Sequence, residues 1–549
     1  MAQDHLSKQV SVELKDAKIS DALTMIGEQG GFYFSYQSNV LTEQTVTKSY
    51  HDQEVVSIIN DLFQEELELL QRGRYVILRP LQQGQKNKVR IVGKVVDGQT
   101  NKEISDVSIY EVGNLTATLS DSRGKFNLNA NTQSPITAFA ISKQNYRDTI
   151  VYVTNIAETF EIELQPDDQE QSKNKWIESL LDKSTVLKNL INNKSQIHVK
   201  NVYLQEERFA QLSFLPIAGT NGTMSGKVKN KISINAIAGY SHSLGGVEVG
   251  GVLNIIREDA KWVQIGGFGN VVGNRFKGVQ VGGFFNSSTN YAKGVQLSGF
   301  YNYTAQHITG TQTSGFVNFS RNTNGLQLSG FANYTKAQLK GVQASGALNI
   351  SGNMKGVQVS GLLNIAREVS GTQIGIVNLA KDYKKGIPIG LINLVKNGFK
   401  SLEYQANDIA PVNLSFRTGV SRWYTEMTAG INPFEGAQLW TYGYGFGSHV
   451  FIRPKYFISV DAKTSWIGGL KDNHESNRFV HAIVPSFGLG NYDKRAVTLG
   501  PVVRLVMLDR RNTDNAHIES FFSKRSISSN SGLFYNTFWI IGYQLSFRI

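Results

Sequence analysis

A short tandem repeat dominates the middle of this sequence and limits the folds open to it. Ten copies of a unit of 15 to 16 residues follow one another between residues 246 and 395, among them KGVQVGGFFN, KGVQLSGFYN and KGVQVSGLLN. Each of the best copies has a glutamine, followed five or six residues later by an asparagine. These pairs are Gln264 and Asn270, Gln280 and Asn286, Gln296 and Asn302, Gln312 and Asn318, Gln327 and Asn333, Gln343 and Asn349, Gln358 and Asn364, and Gln373 and Asn378. A repeat this short indicates that one small structural unit recurs along the chain and that each copy packs against the next.

Read as an extended strand, each unit separates into two faces, because successive side chains of a strand point to opposite sides. In the copy from Gly356, one face carries Val357, Val359, Gly361, Leu363 and Ile365, and the other carries Gln358, Ser360, Leu362 and Asn364. An aliphatic face opposed to amides and hydroxyls is typical of a strand between lipid and a wet lumen. Ten strand residues also match the ~9–11 that a tilted strand needs to cross the hydrocarbon layer. We therefore predict that the repeat glutamines and asparagines face a lumen.

A soluble β-solenoid is the rival interpretation of the same repeat. In that fold each unit makes one coil, and the amide side chains stack in ladders. Repetition alone favours the solenoid, so the choice depends on the rest of the chain.

The C-terminal third favours the barrel, because it does not repeat and yet alternates. Segments of strand length are predicted near 412–420, 423–431, 439–451, 456–467, 481–492, 496–508 and 534–549, with short and long links in turn. Short turns on one rim and long loops on the other are typical of outer-membrane barrels. In the last segment, one face carries Trp539, Ile541, Tyr543, Leu545, Phe547 and Ile549. This face resembles the terminal signal by which outer-membrane proteins reach the barrel-assembly machinery, although the usual terminal aromatic is an isoleucine here.

The first 165 residues predict two small domains. Residues 1–88 read as an α+β unit, and the segments LKDAKISDAL and GRYVILRP resemble the short N-terminal domain of secretins and TonB-dependent receptors, a resemblance that implies a periplasmic docking module. Residues 89–165 read as a β-sandwich and resemble the carboxypeptidase regulatory-like domain of Bacteroidota outer-membrane proteins. The matching positions are Gly93, Asp97, Asp121, Gly124 and Phe126, whereas a usual Gly-Tyr pair is Asn145-Tyr146 here. A helical linker is predicted over 166–195.

Composition narrows the function classes. The chain has no cysteine, which excludes disulfides, cysteine-ligated zinc and a cysteine nucleophile, and it has no apolar run long enough for a transmembrane helix. Its formal charge of +12 is not gathered into polybasic runs, so we expect no nucleic-acid partner. The nine histidines form no metal-binding motif, and we predict no catalytic, metal or cofactor site. The first residues contain no apolar signal-peptide segment, and we expect the sequence to begin at a processed end.

The sequence thus predicts a mainly β protein: a transmembrane antiparallel β-barrel of about 20 strands over 196–549, preceded by the two periplasmic domains. The expected location is the bacterial outer membrane, with its lipid, lipopolysaccharide and envelope proteins as partners. The expected role is a non-enzymatic accessory or scaffold subunit of an outer-membrane assembly or export complex. A passive diffusion pore and a transmembrane signalling receptor are the alternatives.

Overall fold

The computed structural model describes residues 5–36, 45–63, 67–72, 74–80, 87–132, 137–153, 159–167, 191–202, 205–434, 438–469, 478–491, 494–509, 516–532 and 534–549. The chain divides into an N-terminal unit, Met1–Ser298, and a C-terminal unit, Gly299–Ile549. Both units are mainly β. Within the described ranges, no helix is both long and apolar enough to cross a bilayer.

The N-terminal unit begins with an α+β domain. Its elements are β1 (Gln9–Lys18), α1 (Ile19–Gly30), β2 (Tyr33–Tyr36), β3 (Thr45–Glu54), α2 (Val55–Phe63), β4 (Leu67–Arg72) and β5 (Tyr75–Pro80). Helix α1 buries Ile19, Leu23 and Ile26, which recur at helical spacing, against the sheet. It ends at Gly31, whose φ of +68° is the left-handed conformation that glycine adopts without strain. The predicted helices and strands are present, and β3 is an additional strand that pairs antiparallel with β1.

The next domain is all β. Its strands are β6 (Asn87–Asp97), β7 (Ser108–Glu111), β8 (Ala117–Leu119), β9 (Lys125–Thr132), β10 (Thr137–Ser142), β11 (Thr149–Val153) and β12 (Thr159–Leu164). They form a three-stranded and a four-stranded sheet that share an apolar core. The Asp97 carboxylate accepts a hydrogen bond from the Tyr146 hydroxyl at 2.8 Å. It also accepts from the backbone N–H groups of Gln99 and Thr100, and these bonds lower its pKa to about 2.

Helix α3 (Asn193–Asn201) leads into the repeats. Most of the predicted linker, residues 168–190, lies outside the described residues. The His198 side chain bonds through Nδ1 to the Ser108 hydroxyl at 2.9 Å, which ties the helix to the β-sandwich, and burial lowers the pKa of His198 to about 4. Tyr75, Tyr110 and Met224 belong to one apolar cluster. This cluster joins the α+β domain, the sandwich and the start of the repeats.

The repeats of both units form coils of a β-solenoid that has about ten turns. The strands of the N-terminal unit are β13 (Glu206–Leu215), β14 (Ala218–Gly219), β15 (Val228–Asn235), β16 (Ala238–Ser241), β17 (Ser243–Gly250), β18 (Leu253–Ile256), β19 (Ala260–Gly266), β20 (Gly269–Val272), β21 (Arg275–Gly282), β22 (Phe285–Ser288) and β23 (Tyr291–Ser298). Those of the C-terminal unit are β24 (Tyr301–Ser314), β25 (Val317–Ser329), β26 (Ala332–Ser345), β27 (Leu348–Ser360), β28 (Leu363–Ile374), β29 (Val377–Ile389) and β30 (Ile392–Val395). Coils pair in parallel and in register, so that Gln343 lies beside Gln358 and Asn349 beside Asn364.

The predicted transmembrane barrel of about 20 strands is therefore wrong. A barrel of consecutive membrane-crossing strands would pair them antiparallel, whereas here equivalent positions of successive units pair in parallel. The ten-residue segment taken for one strand is broken at Gly361–Leu362, between β27 and β28, where the coil turns a tight corner. Leu362, which simple alternation placed with the amides, lies at that corner and is 56% exposed.

The last 150 residues form a separate antiparallel sheet. Its elements are β31 (Phe399–Asn407), β32 (Val412–Val420), β33 (Trp423–Asn432), β34 (Leu439–Arg453), β35 (Tyr456–Gly469), β36 (Arg478–Gly490), β37 (Ala496–Asp509), α4 (Ala516–Ser523), β38 (Ser528–Ser531) and β39 (Tyr535–Arg548). Seven of these nine strands were predicted, and β31 and β38 were not. Because β31 pairs with both β32 and β39, eight strands close on themselves, and we call this element the closed sheet.

Candidate functional site

The repeat amides lie inside the solenoid coils, where they bond to one another. In the N-terminal unit, Gln280 Nε2 donates to Gln264 Oε1, and Gln296 Nε2 to Gln280 Oε1, both at 2.8 Å. The C-terminal unit continues the pattern through Gln312, Gln327, Gln343, Gln358 and Gln373, with 2.7–2.8 Å between successive side chains. All of these glutamines are fully buried. Each amide both donates and accepts, so neighbouring glutamines satisfy one another's hydrogen-bonding groups.

The asparagines form a second ladder in each unit. Asn254, Asn270 and Asn286 are bonded in sequence in the N-terminal unit; Asn302, Asn318, Asn333, Asn349, Asn364, Asn378 and Asn393 are bonded in the C-terminal unit. Except at Asn393, each Nδ2 also donates to a backbone carbonyl ten or eleven residues later, such as Val359 O for Asn349, at 2.7 Å. These bonds hold the two straight segments of a coil together. The predicted lumen-facing residues thus act as internal supports of the fold.

Loss of one rung of the ladder should destabilise the coils. We expect Gln343→Leu to lower the free energy of unfolding by about 2 kcal/mol, because it removes a partner from both Gln327 and Gln358 in a buried setting. Chemical denaturation followed by circular dichroism measures the change. The matched control is Gln338→Leu, since Gln338 is exposed on the same strand, and its effect should be under about 0.5 kcal/mol. Equal effects of the two substitutions would contradict the ladder's role.

The closed sheet contains a buried ionic network that sequence reasoning missed. Three carboxylates, Glu403, Glu426 and Asp461, lie among three cations, Arg417, Lys463 and Arg548. Arg417 is 1% exposed and lies 3.0–3.4 Å from all three carboxylates. Arg548 lies 2.6 Å from Glu403, with its guanidinium 4.8 Å from the Phe399 ring. Equal numbers of opposite charges make the network self-compensating, as burial of charges requires.

An apolar cluster fills the other end of the closed sheet. Helix α4 contributes Ile518, Phe521 and Phe522, which pack against strand residues such as Leu439 and Val506. The interior therefore contains the ionic network toward the end with Phe399 and this apolar cluster toward the end with the helix, where Arg478 is buried as well. Among the described residues, no group of three or more histidines, aspartates and glutamates is arranged to hold a metal ion.

The outer wall of the closed sheet has the opposite polarity from its interior. Along β32, Val412, Leu414 and Phe416 are exposed while Asn413, Ser415 and Arg417 are buried. The other strands repeat this alternation, with exposed Ile458, Val460, Ile483, Phe487, Leu489, Val497, Leu499 and Val503. In the last strand, the predicted shared face is present: Trp539, Ile541, Tyr543, Phe547 and Ile549 are exposed and Leu545 is partly exposed. Its use as an assembly signal stays a prediction.

Aromatic side chains gather near both ends of this wall. Trp440, Tyr442 and Trp466 stack in a row toward the end of the sheet at which β33 and β35 end. Toward the short links, Trp423 lies on Phe446, and Tyr456 on Phe487. Tryptophan and tyrosine favour the boundary between hydrocarbon and water, because their rings are apolar and their N–H or O–H groups need a polar partner. The alternation of residues along the strands was visible in the sequence, although β31, through which the sheet closes, was not predicted.

No protein family, curated protein or solved structure matches the chain. The resemblances of the two N-terminal domains therefore rest on their sequence segments and stay predictions.

Proposed function

We propose that this chain is a non-enzymatic scaffold of the bacterial outer membrane, held there by lipid around the closed sheet. The observation that carries the proposal is the inverted polarity of that sheet, which buries three carboxylates and three cations and exposes an almost continuous apolar wall. In water such a wall would be costly at about 25 cal/mol per Å². β31 pairs with β39 from Glu403 to Asn407, and this pairing closes the sheet and removes an open strand edge there, as hydrocarbon surroundings favour.

The direction of the chain supports periplasmic N-terminal domains. The chain enters the closed sheet at Phe399 and leaves it at Ile549, and Arg548 over the Phe399 ring places both at one end. The short links at 421–422 and 454–455 lie at that end, as do Gly490 and Ala496, where β36 ends and β37 begins. The end with short links faces the periplasm in outer-membrane proteins of this polarity. The docking role implied by the first domain then suits partners from the periplasm. A subunit of an assembly or export complex is the role we favour.

The filled interior argues against a diffusion pore. Arg417 and its three carboxylates occupy one end of the closed sheet, and the α4 phenylalanines occupy the other. We propose no conducting path on this basis. The signalling alternative rests on the domain resemblance alone and stays a prediction.

An arginine on the outer wall tests the proposal. Leu499 is 57% exposed and pairs laterally with Phe487 and Leu545, which lie on the same wall. We expect wild-type protein to fold into lipid vesicles with heat-modifiable migration on gels, and Leu499→Arg to lower the stability of the inserted form by about 2–4 kcal/mol. The control is Asn324→Arg at an exposed solenoid position, which should change little. A wild-type protein that stays monomeric in water without detergent would refute the proposal.

A further inference from the structure

The solenoid coils of the C-terminal unit have a ridge of exposed apolar side chains at their tight corners. The ridge consists of Phe300, Phe316, Phe331, Ala347, Leu362, Ile376 and Leu391, one from each coil. The three phenylalanine rings stack with centroids 4.8–4.9 Å apart, the spacing of adjacent strands. Apart from the partly exposed Ala347, each member is 38–56% exposed. Exposed apolar surface that continues over seven coils is more than a monomer normally leaves in water.

Both faces beside the ridge are apolar as well. One face carries the partly or fully exposed row Leu328, Ala344, Val359, Ile374 and Ile389; the other carries Phe319, Tyr334, Ile350, Ile365, Leu379 and Leu394. Beneath them lie the buried glutamine and asparagine ladders. The coils thus expose aliphatic and aromatic groups and bury amides, which is the polarity of the closed sheet again. We call the ridge and its two faces the wedge.

Charged residues lie only at the opposite, wide end of these coils. Residues 299–397 contain nine lysines and arginines against two acidic residues, Glu368 and Asp382. Lys340, Lys355 and Lys385 follow one edge of the wedge, and Arg321, Lys336, Arg367, Lys381 and Lys396 follow the other, all exposed. Apolar surface bordered by cations fits an anionic lipid leaflet, because acyl chains cover the first and phosphate headgroups pair with the second.

Backbone groups at the ridge are hydrogen-bonded within the protein, as a hydrocarbon environment requires. Corner N–H groups donate to the carbonyl of the preceding coil, as in Phe331 to Phe316, Ala347 to Phe331 and Leu363 to Ala347, at 2.9–3.1 Å. A corner whose amides were open to solvent could not enter hydrocarbon without losing several kcal/mol per group. Here the coil-to-coil bonds satisfy the corner N–H groups of Phe331, Ala347 and Leu363, which lowers the cost of inserting these corners into hydrocarbon.

The wedge is continuous with the outer wall of the closed sheet. The Tyr444 hydroxyl, on that wall, donates to the Gly390 carbonyl at 2.7 Å, next to the ridge residue Leu391. Val395 of the last coil belongs to an apolar cluster that also contacts Val420 of the closed sheet. The closed sheet therefore packs on the last coil, and the last ridge residue, Leu391, lies next to Tyr444 of the outer wall.

We propose that the wedge is a second lipid-contacting surface, immersed beside the closed sheet up to its basic edges, which pair with anionic headgroups. The inference rests on the proposed function, since it takes the closed sheet's wall to lie in the same leaflet. It assigns the solenoid a place along the membrane surface and a preference for anionic lipid.

Single cysteines provide the test, because the chain has none of its own. Phe331→Cys reports the wedge, Leu499→Cys reports the closed sheet and Asn324→Cys reports the polar end of a coil. Each full-length variant is labelled with an environment-sensitive fluorophore, reconstituted in vesicles with anionic phospholipid, and quenched by lipids brominated on their acyl chains. We expect the labels at 331 and 499 to lose most of their emission and the label at 324 to keep it. Leu362→Cys repeats the wedge measurement should Phe331→Cys disturb folding.

The outcomes separate the two proposals. Quenching at 499 without quenching at 331 and 362 overturns the wedge inference and leaves the proposed function standing. Absence of quenching at 331, 362 and 499 overturns both the wedge inference and the proposed function. A label at 331 that reports an apolar setting but is not quenched by brominated lipid means that a protein, such as a second copy, covers the wedge. For the headgroup part, Lys340→Gln with Lys355→Gln should weaken quenching at 331 in anionic vesicles; an unchanged value overturns the pairing with headgroups.

Discussion

Replacement of Gly341 by valine is expected to unfold the coils of the C-terminal unit. Gly341 has a φ of +130°, a region that residues with a side chain rarely adopt. A Cβ atom there would lie 2.0 Å from the carbonyl oxygen of Gly325 in the preceding coil. Backbone strain costs about 1–3 kcal/mol and overpacking a similar amount. The free energy of unfolding should therefore fall by about 4 kcal/mol or more.

Urea denaturation of the full chain, followed by circular dichroism, measures this loss. Lys340→Val is the control, because Lys340 is the exposed neighbour with ordinary backbone angles, and the same side chain there should cost under about 0.5 kcal/mol. Equal midpoints for Gly341→Val and wild type would mean that the coils do not meet at this glycine as described.

Replacement of Arg417 by methionine is expected to be nearly as damaging to the closed sheet. Methionine fills much of the same volume but leaves Glu403, Glu426 and Asp461 buried with one cation fewer. Breaking a buried ion pair by removing one partner costs about 3–5 kcal/mol, because the remaining charge is uncompensated. We expect a loss of this size in the stability of the folded protein, measured by loss of heat-modifiable migration as denaturant is raised.

Two further variants show whether charge is the cause. Arg422→Met changes an exposed arginine near the end of the same hairpin and should have little effect. Adding Asp461→Asn to Arg417→Met removes one of the stranded carboxylates and should recover part of the loss, with a coupling of about 0.5–3 kcal/mol. Additive losses in the double variant would indicate that the network is not ionised as its geometry suggests.

The sequence was most informative where the local pattern alone decides the structure. Strand segments of the closed sheet came close to their observed bounds, because alternation of apolar and polar residues over a dozen positions is a local signal. The unpredicted strand β31 has the same alternation, with exposed Leu402 and Tyr404 beside buried Glu403 and Gln405. That pattern could have identified it, and with it an eighth strand and closure.

The solenoid could not be distinguished from a barrel by alternation, since both have amides on one side and aliphatic groups on the other. The difference lies in contacts between units. Gln358 meets Gln343 only if successive coils run parallel and in register, which depends on residues 15 positions apart. The corner at Gly361 also depends on the chain turning where a strand was expected to continue. A repeated Ser-Gly step ahead of a bulky residue was the available signal for that corner.

The ionic network could not be predicted from the sequence either, because it too depends on contacts between distant residues. Arg417, Asp461 and Arg548 are far apart in sequence, and each alone looks like an ordinary polar residue of a strand. These side chains meet because the sheet closes. Closure brings β39 beside β31, so that the side chains of Arg548 and Glu403 both point into the interior. The equal numbers of cations and carboxylates in this network become visible only once the interior is known.

Parallel stacking of identical coils has a consequence for the history of this chain. Each coil contacts only its immediate neighbours, and every internal rung is made in the same way, so gain or loss of one whole unit of about 15 residues leaves the remaining rungs as they were. Helix α3 before the first coil and the closed sheet after the last coil need not change when a unit is gained or lost. The number of coils can therefore change by duplication or loss of whole repeats. Insertion of part of a repeat would move its glutamine and asparagine out of register with those of the neighbouring coils, and we expect selection against it.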